Sequence, residues 1–171
     1  MKLCEAEDTD RIREYYRFVT DNTEHMPEYG RWIYGLHPSD EMIAEYVKEN
    51  AVYFWEEEGD IIAAAVVTPY QPSDYHGIAW QVELEDDEVS VVHLLAVNPH
   101  FQNRGIAKKV MREIIAKAKE TGKKAVRLDA IEGNLPAHKL YESLGFQMRG
   151  IRNWYAANLG HIDFYLFEYL L

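Results

Sequence analysis

Residues 88 to 131 constrain the fold more than any other part of this chain. The run "EVSVVHLLAV" (88–97) holds enough valine and leucine for a strand buried on both faces. A polar turn with one glycine, Gly105, follows it. From 105 to 121 the period changes: Ile106, Val110, Ile114 and Ala118 recur every four residues, while Lys108, Lys109, Arg112 and Lys119 fall elsewhere around a helix. Gly122 is placed to end that helix in a left-handed cap, and "AVRLDAI" (125–131) is the next strand. Strand, helix and strand in this order form a crossover, which makes the two strands parallel.

The flanks supply the rest. Residues 9–19 read as a helix after a short first strand, and a second helix is expected at about 40–49, with Ser39 as its N-cap and Asp40 and Glu41 at its positive end. "AVYFWEEEGDIIAAAVVTPY" predicts a hairpin around "EEGD", and "QPSDYHG" a loop. Asn134 caps a short helix over 135–144, with Pro136 in its first turn and Gly145 past its end. "FQMRGIRNWY" and "HIDFYLFEYL" close the chain as two strands around "AANLG". The expected class is α/β, in the α+β sense: a central mixed, mostly antiparallel sheet with a parallel pair in its middle, flanked by helices. With 171 residues, no internal repeat and no linker, a single domain over 1–171 is expected.

Charge narrows the partners. A formal net charge of −11 argues against binding nucleic acid. Yet between Asn98 and Arg127 nine basic residues face only two acidic ones, Glu113 and Glu120. Such asymmetry suggests an anionic ligand at one place and a cationic one elsewhere; a solvated lysine-rich helix face is the competing reading. "IIAAAVV" (61–67) is far shorter than the roughly 20 residues of a membrane span, so no membrane partner is expected. The opening "MKLCEAEDTD" lacks the apolar core of a secretion signal, and Cys4, the single cysteine, permits no internal disulfide. A cytoplasmic protein is expected, with Cys4 as a buried strand residue. The seven histidines show no metal-ligand spacing such as HExxH, so no metal is expected.

A strand, a glycine turn and a helix N-terminus together suit an anion, because free amides point outward there and glycine lets a phosphate approach the main chain. Neither GxxxxGK nor GxGxxG is present. The pattern that fits is Gln/Arg-x-x-Gly-x-Gly/Ala, as Gln102-Asn103-Arg104-Gly105-Ile106-Ala107, after "LLAVNP" and about 30 residues before "NLPAHKLYESLGF". On these motifs, over roughly 88–150, the chain resembles the GCN5-related N-acetyltransferase (GNAT) family. The first 80 residues fit that family's usual opening without a recognisable motif.

The resemblance implies acetyl-CoA as acyl donor and a set of roles. The backbone of the Leu95–Ala96–Val97 segment would pair with the pantetheine arm. Amides from Gln102 through Asn103, Arg104, Gly105, Ile106 and Ala107 would take the pyrophosphate, with Arg104 or nearby lysines reaching the 3′-phosphate. Asn134, Ala137 and Tyr141 fall at the downstream cofactor-contacting positions. Tyr141 is the candidate general acid: its ordinary pKa of about 10 lies close enough to a thiol's to return a proton to the leaving thiolate. Packing at helical spacing with Ala137 is the competing role.

His93 is the candidate general base, two residues before Leu95 and so on the same face of a regular strand; a packed core histidine is its alternative. Glu83, Glu85 or Glu88 acting through water is a second possibility for the base, and the resemblance also allows a water chain with no dedicated base. The stretch 25–34, with Met26, Glu28, Tyr29 and Trp32, and the residues Trp154, Tyr155 and His161 could line an acceptor pocket or merely pack. The last strand reads equally as core or as a homodimer seam. The function expected is acetyl transfer to a primary amine of a small molecule, polyamine or amino-acid-like, directly in a ternary complex. A non-catalytic acyl-CoA-binding regulatory module, a protein N-terminus or lysine as acceptor, and a different acyl donor are the alternatives.

Overall fold

The computed structural model describes residues 4–171. Seven strands form one sheet: β1 (Cys4–Glu5), β2 (Val52–Glu57), β3 (Asp60–Thr68), β4 (Val89–Val97), β5 (Ala125–Ile131), β6 (Gln147–Ala156) and β7 (Gly160–Leu170). Their order is β1-β2-β3-β4-β5-β7-β6, and only the β4–β5 pair is parallel. Four helices, α1 (Thr9–Asn22), α2 (Asp40–Lys48), α3 (Ile106–Glu120) and α4 (Leu135–Leu144), flank it. This is the expected class, with the parallel pair at the expected crossover. No described helix is long and apolar enough to cross a membrane. The side chain of Cys4 lies outside the described residues.

Local chemistry sets the helix ends. Asp8 accepts from the amide of Arg11 at the start of α1, and Ser39 accepts from that of Met42 at the start of α2. Asn134 caps α4 by accepting from the amide of Ala137, and Gly145 ends it at φ 96°.

Two layers pack on the sheet. On one face α3 supplies Ile106, Val110, Met111 and Ile114 against Val126 and Leu128 of β5 and Phe167 of β7. On the other, α1 and α2 bury Ile12, Tyr16, Ile43 and Val47 against β2–β4. Among the described residues no α-helix covers that second face over β5 and β7. The 69–88 segment does so instead, burying Tyr75 and Ile78 against Val89, Val91 and Leu166. The stretch expected to be only loop is therefore a sheet cover.

A buried clamp ties the segment down. Arg127 on β5 donates to Glu168 of β7 at 2.8 and 3.0 Å, to the carbonyl of Val82 at 2.9 Å and to the side chain of Gln71, while stacking 4.2 Å from the Trp80 ring. The amide of Gln81 donates to the other Glu168 oxygen at 2.9 Å. β7 lies between β5 and β6, and its Ile162, Leu166 and Phe167 are buried within the one chain, which assigns that strand to the core.

Candidate active site

β4 and β5 stay paired from Val89–Ala125 to Val92–Leu128 and then part. The cause lies in β4. Leu94 adopts φ 48°, and the register with β3 slips between Ala64 and Val66. This bulge overturns the regular alternation expected for the strand. His93 turns toward α2 and stacks on Tyr46, with centroids 6.1 Å apart, whereas Leu95 packs with the α3 cluster. His93 and Leu95 are therefore not on one face of a regular strand.

Two cavities meet at the parting strands. One, of about 500 Å³, runs along Leu95, Ala96 and Val97, past the turn at Gln102, Asn103, Gly105, Ile106 and Ala107, to Ala137 on α4. The other, of about 360 Å³, holds His37, His93 and Asp129 among the rings of Trp32, Tyr46, Tyr155 and Phe164. Leu95, Asn134 and Tyr141 line both.

The turn is built as a cradle of donors. Asn103 and Gly105 sit at φ 61° and 71°, bending the chain so that successive amides point one way. The amides of Ile106, Ala107 and Lys108 open α3 and have no intrahelical acceptor. The amide of Gln102 is already used, reaching the carbonyl of Pro99 at 3.4 Å, and its side chain holds the Val97 carbonyl at 3.1 Å. The cradle thus starts one residue later than expected, at Asn103. Arg104 folds back on its own turn, donating to the His100 carbonyl at 3.0 Å and lying over Phe101. Lys108 reaches Ser143 of α4 at 3.1 Å, tying turn and helix together.

The second cavity is acidic at one point. Asp129 accepts from the Tyr75 hydroxyl at 2.7 Å. Burial, more than the Asp129 charge opposes it, pushes His37 and His93 below the ordinary imidazole value, so both rings are neutral at pH 7. Burial, then the Asp129 charge, raises the pKa of Tyr141, so it keeps its proton across the physiological range. The raised value lies farther from a thiol's than tyrosine's ordinary one, which leaves its position at both cavities, not a matched pKa, as the support for an acid role.

Glu83, Glu85 and Glu88 line neither cavity. Glu85 and Glu88 cap their own turn, and Glu88 pairs with Lys124, so none is positioned as the water-linked base. Met26 and Tyr29 line the larger cavity rather than the acidic one, Tyr155 lines the acidic one, and Trp154 stacks on Tyr75 instead. Sequence reasoning missed Asp129, His37 and Tyr46; a lone acid in the apolar run "AVRLDAI" was the available signal for the first. Among the described residues no group of three or more His, Cys, Asp or Glu is placed to hold a metal ion.

The model of the acetyltransferase (GNAT) family matches residues 10–146. The chain belongs to that family. Among curated relatives, it is 39% identical over 74 residues to the N-acetylaspartate synthetase of Danio rerio, covering 43% of this chain and 26% of that protein. It is 36% identical over 78 residues to the ribosomal protein bS18-alanine N-acetyltransferase of Salmonella typhimurium, covering 45% of this chain and 52% of that protein. The matched stretches thus span about a quarter to a half of those relatives. A solved GNAT structure from Listeria monocytogenes superimposes with a TM-score of 0.72 at 20% identity, over 99% of this chain and 94% of that one, which shows the shared fold.

Proposed function

We propose that the protein is a single-domain, acetyl-CoA-dependent N-acetyltransferase that acetylates the primary amine of a small molecule in a ternary complex. The observation that carries this reading is the common wall of Leu95, Asn134 and Tyr141 between the amide-lined cavity and the acidic one. The larger cavity fits CoA on the chain's own groups. Amides from Asn103 to Lys108 suit the pyrophosphate, the parted edge of Leu95–Val97 suits the pantetheine arm, and Arg104 or Lys109 suits the 3′-phosphate. When bound, acetyl-CoA supplies the acyl group as a thioester.

The chain's residues then have distinct tasks. An alkylamine with a pKa near 10.4 is neutral in only about 1 molecule in 10³ at pH 7, so the ammonium must lose a proton. His93, uncharged and facing the acidic cavity, takes that proton. Backbone N–H groups on the parted segment of β4 stabilise charge on the reacting carbonyl oxygen. Tyr141, protonated and reaching both cavities, returns a proton to the leaving sulfur. Holding the amine against the donor supplies much of the remaining rate.

A cavity of about 360 Å³ falls in the range typical of small-molecule sites, roughly 300–1,000 Å³, which favours a small acceptor over a protein lysine. The test is calorimetric titration with acetyl-CoA, followed by thiol release with small amines and with a peptide bearing a free N-terminal alanine. Micromolar cofactor binding with release by a small amine is the expected result. Binding without release by any acceptor would make the protein a regulatory acyl-CoA module, and release by the peptide alone would move the acceptor to a protein N-terminus. No binding at millimolar cofactor would end the reading.

A further inference from the structure

Among the described residues, Asp129 is the only carboxylate that lines the acidic cavity, and no lysine or arginine lines it. The nearest cation along β5, Arg127, is not available to neutralise Asp129. Two residues away and on the same face of the strand, its guanidinium is taken up by Glu168, Gln71 and the Val82 carbonyl. The charge of Asp129 is therefore left for a ligand. The hydroxyl of Tyr75, 1% exposed, grips one oxygen of that carboxylate at 2.7 Å. Tyr75 is itself fixed, because the Trp80 indole donates to its carbonyl at 3.0 Å and the Trp154 ring stacks on it. The clamp at Arg127 and Glu168 anchors the segment that carries it.

Resting on the acetyltransferase reading, we propose that Tyr75 is a positioning residue that holds Asp129 as a single ammonium anchor, and that the acceptor is a primary monoamine with an apolar or ring-bearing body and no carboxylate. An amino acid would bring its own carboxylate beside Asp129 into a cavity that no lysine or arginine lines, which costs a charge without a lining counter-ion; the Arg31 guanidinium lies against Gly133, outside that lining. A polyamine's further ammonium groups would find only the ring faces of Trp32, Tyr46, Tyr155 and Phe164, which hold a cation weakly, and no second carboxylate. A ring or alkyl chain, by contrast, buries apolar area against those same side chains.

The test compares 2-phenylethylamine with L-phenylalanine and spermidine, by calorimetric binding to the CoA-loaded protein and by thiol release. The parent protein is expected to prefer 2-phenylethylamine over L-phenylalanine by about a hundredfold or more. Tyr75→Phe should raise the KM for 2-phenylethylamine about tenfold, leave CoA affinity unchanged and shrink that preference. A merely structural Tyr75 would lower activity on both amines and leave their ratio alone. Asp129→Asn carries the same test should Tyr75→Phe not fold: removing the anion should collapse the preference. Equal affinity for L-phenylalanine, tighter binding of spermidine, or an unchanged ratio in both variants would overturn the inference. Its failure is separable from that of the acetyltransferase reading. Binding of 2-phenylethylamine without thiol release from any amine counts against the reaction alone, and thiol release that is indifferent to the carboxylate counts against the anchor alone.

Discussion

The Tyr16 hydroxyl donates to the carbonyl of Leu94 at 2.9 Å, inside the protein, at the one residue of β4 with a left-handed backbone. Tyr15 does the same for the carbonyl of Ala96, also at 2.9 Å. Two tyrosines of α1 therefore satisfy the carbonyls of the stretch of β4 that has parted from β5. Tyr16→Phe leaves the Leu94 carbonyl buried without that donor, and a loss of about 1–3 kcal/mol in urea melts is expected. Turnover should fall further than CoA affinity, because the bulge sets both His93 and Leu95. An unchanged kcat would detach the bulge from catalysis.

Gly105 sits at φ 71°, and a Cβ built there meets no protein atom within 4 Å. Gly105→Ala should thus cost only about 1 kcal/mol of stability, from the left-handed conformation itself. The added methyl enters open space at the turn where the proposed phosphate would approach the main chain, so CoA binding should weaken by much more than that. Calorimetry checks this: an unaltered Kd would move the phosphate site elsewhere.

Tyr141 packs against Phe146 and Phe167, at 5.6–5.9 Å between ring centroids, contacts that a phenylalanine would keep. Tyr141→Phe is accordingly expected to fold with a melting temperature near the parent's. Its kcat should drop by about 10²-fold or more with little change in CoA affinity. Full turnover in the variant would return Tyr141 to a packing role.

Arg127 and Glu168 have side chains 1% and 0% exposed. Arg127→Met removes one partner of a buried pair and should destabilise the protein by about 3–5 kcal/mol, read from denaturant melts. Arg149, whose Nε lies 3.3 Å from Glu168, offsets part of the loss. A change within about 0.5 kcal/mol would show that the clamp does not hold the 69–88 segment.

The half-buried histidines His37 and His93 give a pH dependence of known sign. His37 and His93 titrate below their ordinary 6.5 in the folded chain. As pH falls through 6.5 the unfolded chain binds protons that the folded chain refuses, so stability is full above that value. It declines through the window down to the lower folded values. The melting temperature should drop between pH 7.5 and pH 5.5, and drop less in a His37→Gln, His93→Gln double variant. Equal slopes would assign the acid sensitivity to other groups.

What could be read from the sequence was what short-range chemistry decides. Ile106, Val110, Ile114 and Ala118 mark the buried face of α3 because a helix has one period, and Ser39 and Asn134 cap because their side chains reach amides three residues on. The glycine turn and Tyr141 stood out as candidates because their spacing along the chain is itself the signal. The bulge could not. Leucine disfavours a positive φ, and the partner that helps to hold it, Tyr16, is 78 residues away. Nor could the clamp, since Arg127 and Glu168 are brought opposite one another only by the insertion of β7 beside β5. Asp129 was passed over for a related reason. An acid inside an apolar strand has no local meaning until the 69–88 segment brings Tyr75 to it.

That segment is tied to the sheet through Gln71 at one end and Gln81 and Val82 at the other. The nine residues between the ties, 72 to 80, hold one short 3-10 turn at Ser73–Tyr75 and line neither cavity. The exposed positions among them, Ser73, Asp74, His76 and Ala79, can vary while Tyr75, Ile78 and Trp80 keep the packing against the sheet and Arg127. Under the proposed reading, one short span of the chain governs the amine anchor, while the phosphate cradle is built from a different stretch, 103–108.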